Sequence, residues 1–135
     1  MNANLTQSLT YGSVYAAKSV ATNNTVSAGF DTKGYIGQLA VMVDAGLLTA
    51  GDSNSTLTVQ IQGSATNNAS NATNISSTTS SVTATNNAVA FGQIIFDTRA
   101  EYEYLFARMT ITGGNSPARP VSVSVVGVKQ VQPVQ

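Results

Sequence analysis

The sequence predicts an all-β fold, an antiparallel β-sandwich of seven to eight strands with a jelly-roll-like arrangement. Three observations support this prediction. Apolar and polar residues alternate along several short segments, turn-forming Gly, Pro, Asn and Asp residues separate most of them, and no segment shows the periodicity of an amphipathic helix. Short strands joined by frequent turns are typical of sandwiches and jelly rolls.

Four strands are predicted in the first half of the chain. They are residues 14–20, 26–30, 35–43 and 56–62. The run at 35–43 is dense in apolar residues and too short for an independent helix, which favours a buried strand. In the run at 56–62, Leu57, Val59 and Ile61 alternate with polar residues, as expected for a strand with one buried face.

Three further strands are predicted in the second half. They are residues 91–96, 102–111 and 121–128. In the middle one, aliphatic residues such as Leu105 and Met109 fall on one face, while Tyr104, Phe106 and Arg108 fall on the other. Both faces of that strand are therefore expected to be covered, at least in part, which places it in the centre of a sheet.

A long polar loop is predicted at about 63–88. This segment is almost entirely Asn, Ser, Thr, Ala and Gly, and Ile75 and Val82 are its sizeable apolar residues. Such a composition buries little surface, so the segment is interpreted as a solvated loop with one short strand around Ile75. The alternative is an exposed contact loop on a larger assembly.

The 135 residues suit a single domain. Residues 14–135 are assigned to the sandwich, and the polar residues 1–13 to an N-terminal arm that is either free or ordered against a partner. The N-terminus lacks the basic and apolar regions of a secretory signal, and no apolar run reaches the roughly 20 residues of a membrane span. No membrane association is therefore expected.

The composition argues against several function classes. Charged residues make up 9% of the chain, against about 25% in typical soluble domains, and six basic residues balance six acidic ones. A neutral chain gains little from counterion release, so nucleic acid is not an expected partner. The chain has no Cys and no His, which excludes disulfides and the usual thiolate or imidazole metal sites. No cofactor is expected.

Catalytic groups are also scarce. Lys18, Lys33 and Lys129 lie beside turns or chain ends with no motif around them, and are interpreted as surface lysines. Glu101 and Glu103 would point to the same face of a strand, but the carboxyl pairs of glycosidases normally face each other across a cleft. The sequence therefore predicts that the protein is not an enzyme.

Candidate partner-contact residues come from the aromatic and apolar side chains outside the clearest core positions. They are Leu5, Leu9, Tyr11, Tyr15, Tyr102 and Tyr104. Tyr102 and Tyr104 could stack on a sugar ring, although aromatics on a central strand more often belong to the core.

Several of these segments together resemble a known family. Residues 29–35 (Gly-Phe-Asp-Thr-Lys-Gly-Tyr), the strand at 56–62, residues 103–111 and the Val-rich strand ending at Gly127 are similar to those of small jelly-roll head decoration proteins of tailed bacteriophages, also called cement or minor capsid proteins. The similarity covers roughly residues 28–128. The 63–88 segment departs from it, because it replaces a more charged, aspartate-bearing loop.

This resemblance implies a structural virion protein that sits on the capsid surface and binds and reinforces the lattice of the major capsid protein. It further implies self-association as a dimer or trimer and synthesis in the cytoplasm of the bacterial host. Its shared motifs are strand ends and strands, not catalytic sites. The alternative is a carbohydrate-binding or host-adhesion module of a phage tail or fibre, which the sandwich and the two tyrosines would allow.

Overall fold

The computed structural model describes residues 6–21, 24–51, 54–75 and 81–131, and it confirms the predicted all-β sandwich. The strands are β1 (Thr6–Val20), β2 (Thr25–Val26), β3 (Phe30–Asp31), β4 (Tyr35–Ala45), β5 (Ser55–Ser64), β6 (Thr73–Asn74), β7 (Ser81–Thr85), β8 (Ala90–Asp97), β9 (Tyr104–Gly113) and β10 (Arg119–Val131). Two short 3₁₀ turns, Ala69–Asn71 and Ala100–Tyr102, lie between them.

The strands form two antiparallel sheets with jelly-roll connectivity. One sheet has the order β1-β10-β4-β8, and the other has the order β2-β9-β5-β6, with β3 also paired to β9 and β7 also paired to β5. If β2 with β3 and β6 with β7 are each taken as one interrupted strand, the ten strands become eight. The chain then crosses between sheets at every connection except the one from β5 to β6, as in a jelly roll.

The core lies between the two sheets and is almost entirely aliphatic. Each long strand turns alternate residues inward, as the sequence pattern predicts for β5 and β9. The fully buried aliphatic side chains include Leu39, Val41, Val43, Leu57, Val59, Ile61, Ile75, Leu105, Met109, Val121, Val123 and Val125. A core of this kind needs no disulfide or metal to close.

The tripeptide Phe-Asp-Thr occurs twice, at residues 30–32 and 96–98, and at both the sequence predicts a strand end where Asp bonds the backbone. The two corners behave differently. At the first, Oδ1 of Asp31 accepts a hydrogen bond from the backbone N–H of Lys33 at 2.8 Å, which confirms the Asp-centred turn that the sequence predicts. At the second, it is Thr98 that anchors the corner, because its backbone N–H and its hydroxyl both donate to the carbonyl oxygen of Gly37 at 3.0 Å.

The predicted boundary between an arm and the domain is wrong. β1 begins at Thr6 and pairs with β10 from Thr6 opposite Val131 to Val20 opposite Arg119, so the boundary at 13/14 falls inside a strand. The polar residues of this segment suggest an arm outside the domain, but they belong to an edge strand. One row of its side chains faces solvent, and its hydrogen bonds come from a partner about 110 residues away in the chain.

The predicted loop at 63–88 also contains more structure than expected. β6 lies next to Ile75, as predicted, but β7 is an additional strand that pairs with β5 from Thr85 opposite Thr56 to Ser81 opposite Gln60. Its inward residues are Val82 and Ala84. The strand predicted to start at 102 starts instead at Tyr104, because Tyr102 ends a 3₁₀ turn.

Past Gly127 the alternation of valines in the sequence slips, which predicts a bulge there. The irregularity occurs at that level of the sheet, but in the neighbouring strand. Gly127 pairs with Leu39 and the next residue, Val128, pairs with Ile36, so the two extra residues, Gly37 and Gln38, belong to β4. Gly37 has a φ of 72°, a conformation that favours glycine.

Candidate functional site

The outer surface of the four-stranded sheet is unusually apolar. Three of the large hydrophobic residues exposed on the described protein are Tyr11 at 68%, Phe91 at 68% and Ile95 at 55%, and all three lie on this surface. We call it the apolar face and define it as Tyr11, Ile36, Ala40, Met42, Phe91, Ile95, Val126 and Val128.

Strand register aligns these residues into rows. One row crosses all four strands and consists of Tyr11, Val126, Ala40 and Ile95, each directly opposite the next. The neighbouring row consists of Ser13, Ser124, Met42 and Gln93. Directly opposite side chains on antiparallel strands lie about 4.5–5.5 Å apart at Cβ, so the first row is a continuous apolar stripe.

Charged groups on this face lie toward its margins. Asp44 is opposite Phe91 and Asp97 is opposite Gln38, at two different levels of β8. The stripe between them holds no ionisable group except the Tyr11 phenol. A contact made here would therefore rest on apolar burial and shape more than on charge.

The outer surface of the other sheet has a different character. Thr58 of β5 lies between Thr110 of β9 and Thr83 of β7, and Thr56 is flanked in the same way by Thr112 and Thr85. Arg108 donates from Nε to Oε1 of Gln62 at 2.9 Å and from Nη1 to Oδ1 of Asn24 at 3.0 Å. This polar surface suits water, so the two sides of the sandwich differ in what they can bind.

The predicted contact residues near the N-terminus occupy different positions in the structure. Tyr11 stands on the apolar face, opposite Val126. Tyr15 turns inward, is 7% exposed and belongs to the core, so its ring is not available to a partner. The backbone of Leu9 pairs with Val128, while the Leu9 side chain and all of Leu5 lie outside the described part of the chain.

The structure separates Tyr102 from Tyr104. Tyr102 is half-buried, packs against the core and lines an open cleft of about 590 Å³ at the end of β8. The other described residues lining this cleft are Gln38, Asn74, Ile95, Phe96, Asp97 and Arg99. Tyr104 begins β9 on the outer surface of the six-stranded sheet, opposite Asp31 and Ser64. The two rings therefore do not form one sugar platform.

Of the ionisable groups weighed as catalysts, Lys33 and Glu103 line one open cleft with Arg99, and the others lie elsewhere on the surface. Glu101 lies in the exposed 3₁₀ turn, where its Oε1 is 3.3 Å from Nη1 of Arg99. The ammonium groups of Lys18 and Lys129 lie over the rings of Tyr15 and Tyr35, 5.0 Å and 5.6 Å from the centroids. Within the described ranges, no three acidic, His or Cys residues converge as a metal site would require.

Burial perturbs two tyrosines in the core. Desolvation raises the pKa of Tyr15 and of Tyr35 above the ordinary phenol value of 10.0, because the low-polarity surroundings disfavour the phenolate. Both residues contribute to the packing beneath the sheet, and Tyr35 also lines an open cleft with Lys33, Arg99 and Glu103. We interpret these shifts as consequences of folding.

A buried arginine holds the turn that leads into β8. Arg119 has no exposed surface, and its Nη2 donates to the carbonyl oxygens of Asn86 at 2.6 Å and Ala88 at 3.2 Å. Burial lowers the pKa of its guanidinium, through desolvation. By fixing the 86–88 backbone, Arg119 positions the start of β8 and therefore Phe91.

The residues that sequence reasoning missed are on β8. Phe91 and Ile95 are outward, while Ile94 and Phe96 are buried at 2% and 8%. The apolar run at 91–96 predicts a strand but does not indicate which of its two faces stays exposed. The available signal was that this run places apolar residues at both odd and even positions, in a chain otherwise rich in Ser, Thr, Asn and Gln.

No family model and no curated protein matches this sequence. Among solved structures, the chain is similar to the SPBc2 prophage-derived protein YomS, with a TM-score of 0.51 and 15% identity over 92% of this chain and 96% of that one. At this identity the likeness concerns the fold alone.

Two further solved structures are similar at lower scores. The CBM36-1 domain of a multidomain xylanase from the hindgut metagenome of Trinervitermes trinervoides has a TM-score of 0.48 and 8% identity over 89% of this chain and 97% of that domain. The structure of infectious bursal disease virus Gx strain has a TM-score of 0.44 and 11% identity over 94% of this chain and 32% of that one. Among the described residues, no helix is long and apolar enough to span a bilayer.

Proposed function

We propose that this protein is a structural component of a tailed-bacteriophage virion that decorates the capsid surface and stabilises it by binding the major capsid protein lattice. The observation that carries the proposal is the apolar face, an exposed stripe from Tyr11 to Ile95 across one sheet of a jelly roll. An exposed apolar patch with polar surroundings is characteristic of a protein-binding site.

The charge distribution supports a lattice-docking role. The chain has a net charge of zero, so it neither repels copies of itself nor depends on electrostatic steering. Weak individual contacts are sufficient on a symmetric shell, because contacts with neighbouring subunits raise the effective concentration of each copy.

A direct test uses heads that lack the protein. Purified wild-type protein is expected to co-sediment with such heads and to raise the temperature at which they release DNA. The variant Tyr11→Asp, which puts a carboxylate into the stripe, should weaken co-sedimentation. The matched control Thr83→Asp, at an exposed position of the other sheet, should bind like wild type.

Two results would count against the proposal. If wild-type protein binds no heads at any salt concentration, the virion-surface role is wrong. If Tyr11→Asp binds as tightly as Thr83→Asp, docking does not use the apolar face.

A carbohydrate-binding or host-adhesion module is the second candidate, and the cleft beside Tyr102 favours it. Gln38, Asn74, Asp97 and Arg99 surround that cleft with amide, carboxylate and guanidinium groups, which are the groups that hydrogen-bond sugar hydroxyls. Glycan binding that is lost in both Tyr102→Ala and Asp97→Asn would favour this function. Tyr104 lies elsewhere, so Tyr104→Ala should leave it unchanged.

A further inference from the structure

β8 is an edge strand of the four-stranded sheet, and its register shows which of its backbone groups point toward β4 and which point away. It pairs with β4 along its length, and no other described strand pairs with it. The N–H of Thr98 donates to the carbonyl of Gly37, directly opposite in the continued register. Because antiparallel strands alternate between hydrogen-bonded and non-bonded pairs, Phe96, Ile94 and Gly92 also direct their N–H and C=O groups toward β4.

The intervening residues therefore direct their backbone groups away from the sheet. Phe91, Gln93 and Ile95 turn N–H and C=O toward the free edge, and the same three residues project their side chains from the outer surface. Each of them thus presents a hydrogen-bonding backbone and a side chain to an incoming strand.

This edge lacks the features that natural proteins use to block strand pairing. Lys residues, prolines and bulges normally interrupt exposed edges. β8 is eight residues long, contains no proline and no basic residue, keeps a continuous register with β4, and carries its one charge at its last residue, Asp97. Such a strand is suited to β-sheet extension by a second strand.

When a second β8 is placed antiparallel to the first and centred on Gln93, apolar residues of one copy lie opposite apolar residues of the other. We infer that two copies of this chain associate by antiparallel pairing of β8 with β8 about a two-fold axis at Gln93, forming one continuous eight-stranded sheet. In this register Gln93 meets its own symmetry mate, and Phe91 meets Ile95 of the second copy. All three residues then exchange both backbone hydrogen bonds, and the two exposed apolar side chains of each copy cover those of the other.

Charge placement agrees with this register. Asp97 comes opposite Val89 of the second copy, an apolar residue that is 67% exposed. The two Asp97 carboxylates are then eight positions apart along the ladder, about 27 Å, which is well beyond the Debye length at physiological salt. The two-fold arrangement is a closed, isologous one, so it stops at a dimer.

The pairing does not depend on the virion role, and it can be tested with purified protein alone. Wild-type protein is expected to sediment as a dimer that dissociates on dilution. Gln93→Lys and Gln93→Glu each bring like charges together at the two-fold axis, so each should weaken the dimer by up to about fivefold. An equimolar mixture of the two variants should regain a dimer, since Lys then faces Glu.

Two further variants separate edge pairing from other causes. Gln93→Pro removes an N–H that is directed at the free edge and leaves the β4 hydrogen bonds in place, so it should abolish the dimer while the far-ultraviolet circular dichroism stays that of a folded sheet. Thr83→Lys and Thr83→Glu, at an exposed position of the edge strand of the other sheet, should dimerise like wild type.

The inference has definite contrary outcomes. A wild-type protein that remains a monomer at millimolar concentration, or that forms a trimer, overturns it. So does a mixture of Gln93→Lys and Gln93→Glu that stays as monomeric as either variant, because only a register centred at Gln93 predicts that rescue. Head binding by such monomers would leave the virion role intact.

Discussion

The guanidinium of Arg119 donates from Nη2 to the carbonyl oxygen of Asn86 at 2.6 Å, joining the start of β10 to the turn that precedes β8. A second bond reaches the carbonyl of Ala88, and the arginine side chain has no solvent-exposed surface. Arg119→Ala would leave both carbonyls without their donor and open a cavity. We expect it to lower the free energy of unfolding by about 2–4 kcal/mol, measured by urea denaturation.

Arg108 provides the matched control for this prediction. Its guanidinium bonds side-chain oxygens of Gln62 and Asn24 near the surface, where water can replace it. Arg108→Ala should therefore cost no more than about 1 kcal/mol. Equal losses for the two substitutions would contradict the view that Arg119 anchors the turn.

The sequence was sufficient for the elements whose pattern is local. β4 and β5 could be predicted because the dense apolar run at 35–43 and the alternation of Leu57, Val59 and Ile61 reflect burial directly. The first half of β1, residues 6–13, and β7 could not, because they gain their strand character from distant partners. The Ser and Thr residues of β7 form a ladder with β5 that no local pattern indicates.

The candidate site could be predicted only in part. Tyr11 and Tyr15 are both predicted contact residues, and only Tyr11 is exposed, since the register shift after Ser13 decides which of the two faces outward. The exposure of Phe91 and Ile95 could not be predicted, because it depends on the position of β8 at the edge of its sheet. The sequence shows how apolar and polar side chains alternate along a strand. Which face and which edge of that strand stay exposed depends on the order of strands in the sheet.

Gly92 lies against Val82 where β8 of one sheet meets β7 of the other. A Cβ atom on Gly92 would lie 2.2 Å from Cγ2 of Val82, closer than packed atoms approach. Gly92→Ala is therefore expected to lower the free energy of unfolding by about 1–3 kcal/mol. Chemical denaturation of Gly92→Ala, Val82→Ala and the double variant would measure the coupling.

The double variant provides the decisive comparison. Val82→Ala removes the clashing methyl groups, so the double variant should be more stable than the sum of the two single losses predicts. Strictly additive losses would show that Gly92 is required for another reason. Thr83→Ala, at an exposed neighbour of Val82, should change stability by less than about 0.5 kcal/mol.

Tyr102 is expected to act mainly through packing. Its ring lies over Gly63, where an added Cβ would be 2.6 Å from Cδ1 of the tyrosine, and it contacts the core while half-exposed. Tyr102→Ala should lower the free energy of unfolding by about 1–3 kcal/mol, less than for a fully buried aromatic. Tyr11→Ala, at a ring that is 68% exposed, should be near neutral. A Tyr102→Ala protein of unchanged stability that loses glycan binding would instead support the carbohydrate-binding function.

Stability should fall at alkaline pH because of the two buried phenols. Burial raises the pKa of Tyr15 and Tyr35 above 10.0, so the unfolded chain releases these protons before the folded protein does. Their contribution is fully present below about pH 10 and is lost as the pH rises through the folded-state pKa. Urea unfolding between pH 9 and 11 should show this decline, and Tyr35→Phe, which keeps the ring under Lys129, should make it shallower. An identical decline in both proteins would mean that other groups cause it.

Binding to heads should depend only weakly on salt if the apolar face is the docking surface. The carboxylates Asp44 and Asp97 stand toward the margins of that face, and the whole chain has no net charge. Ionic screening therefore removes little attraction, whereas apolar burial persists in high salt. The dissociation constant is expected to change by less than about threefold between 0.05 and 0.5 M NaCl.

Asp44→Asn should leave that dependence unchanged and should not weaken binding, because the carboxylate makes no required ion pair. A steep loss of affinity with salt would show instead that the protein docks through its charged loops, such as the corner carrying Arg99 and Glu101.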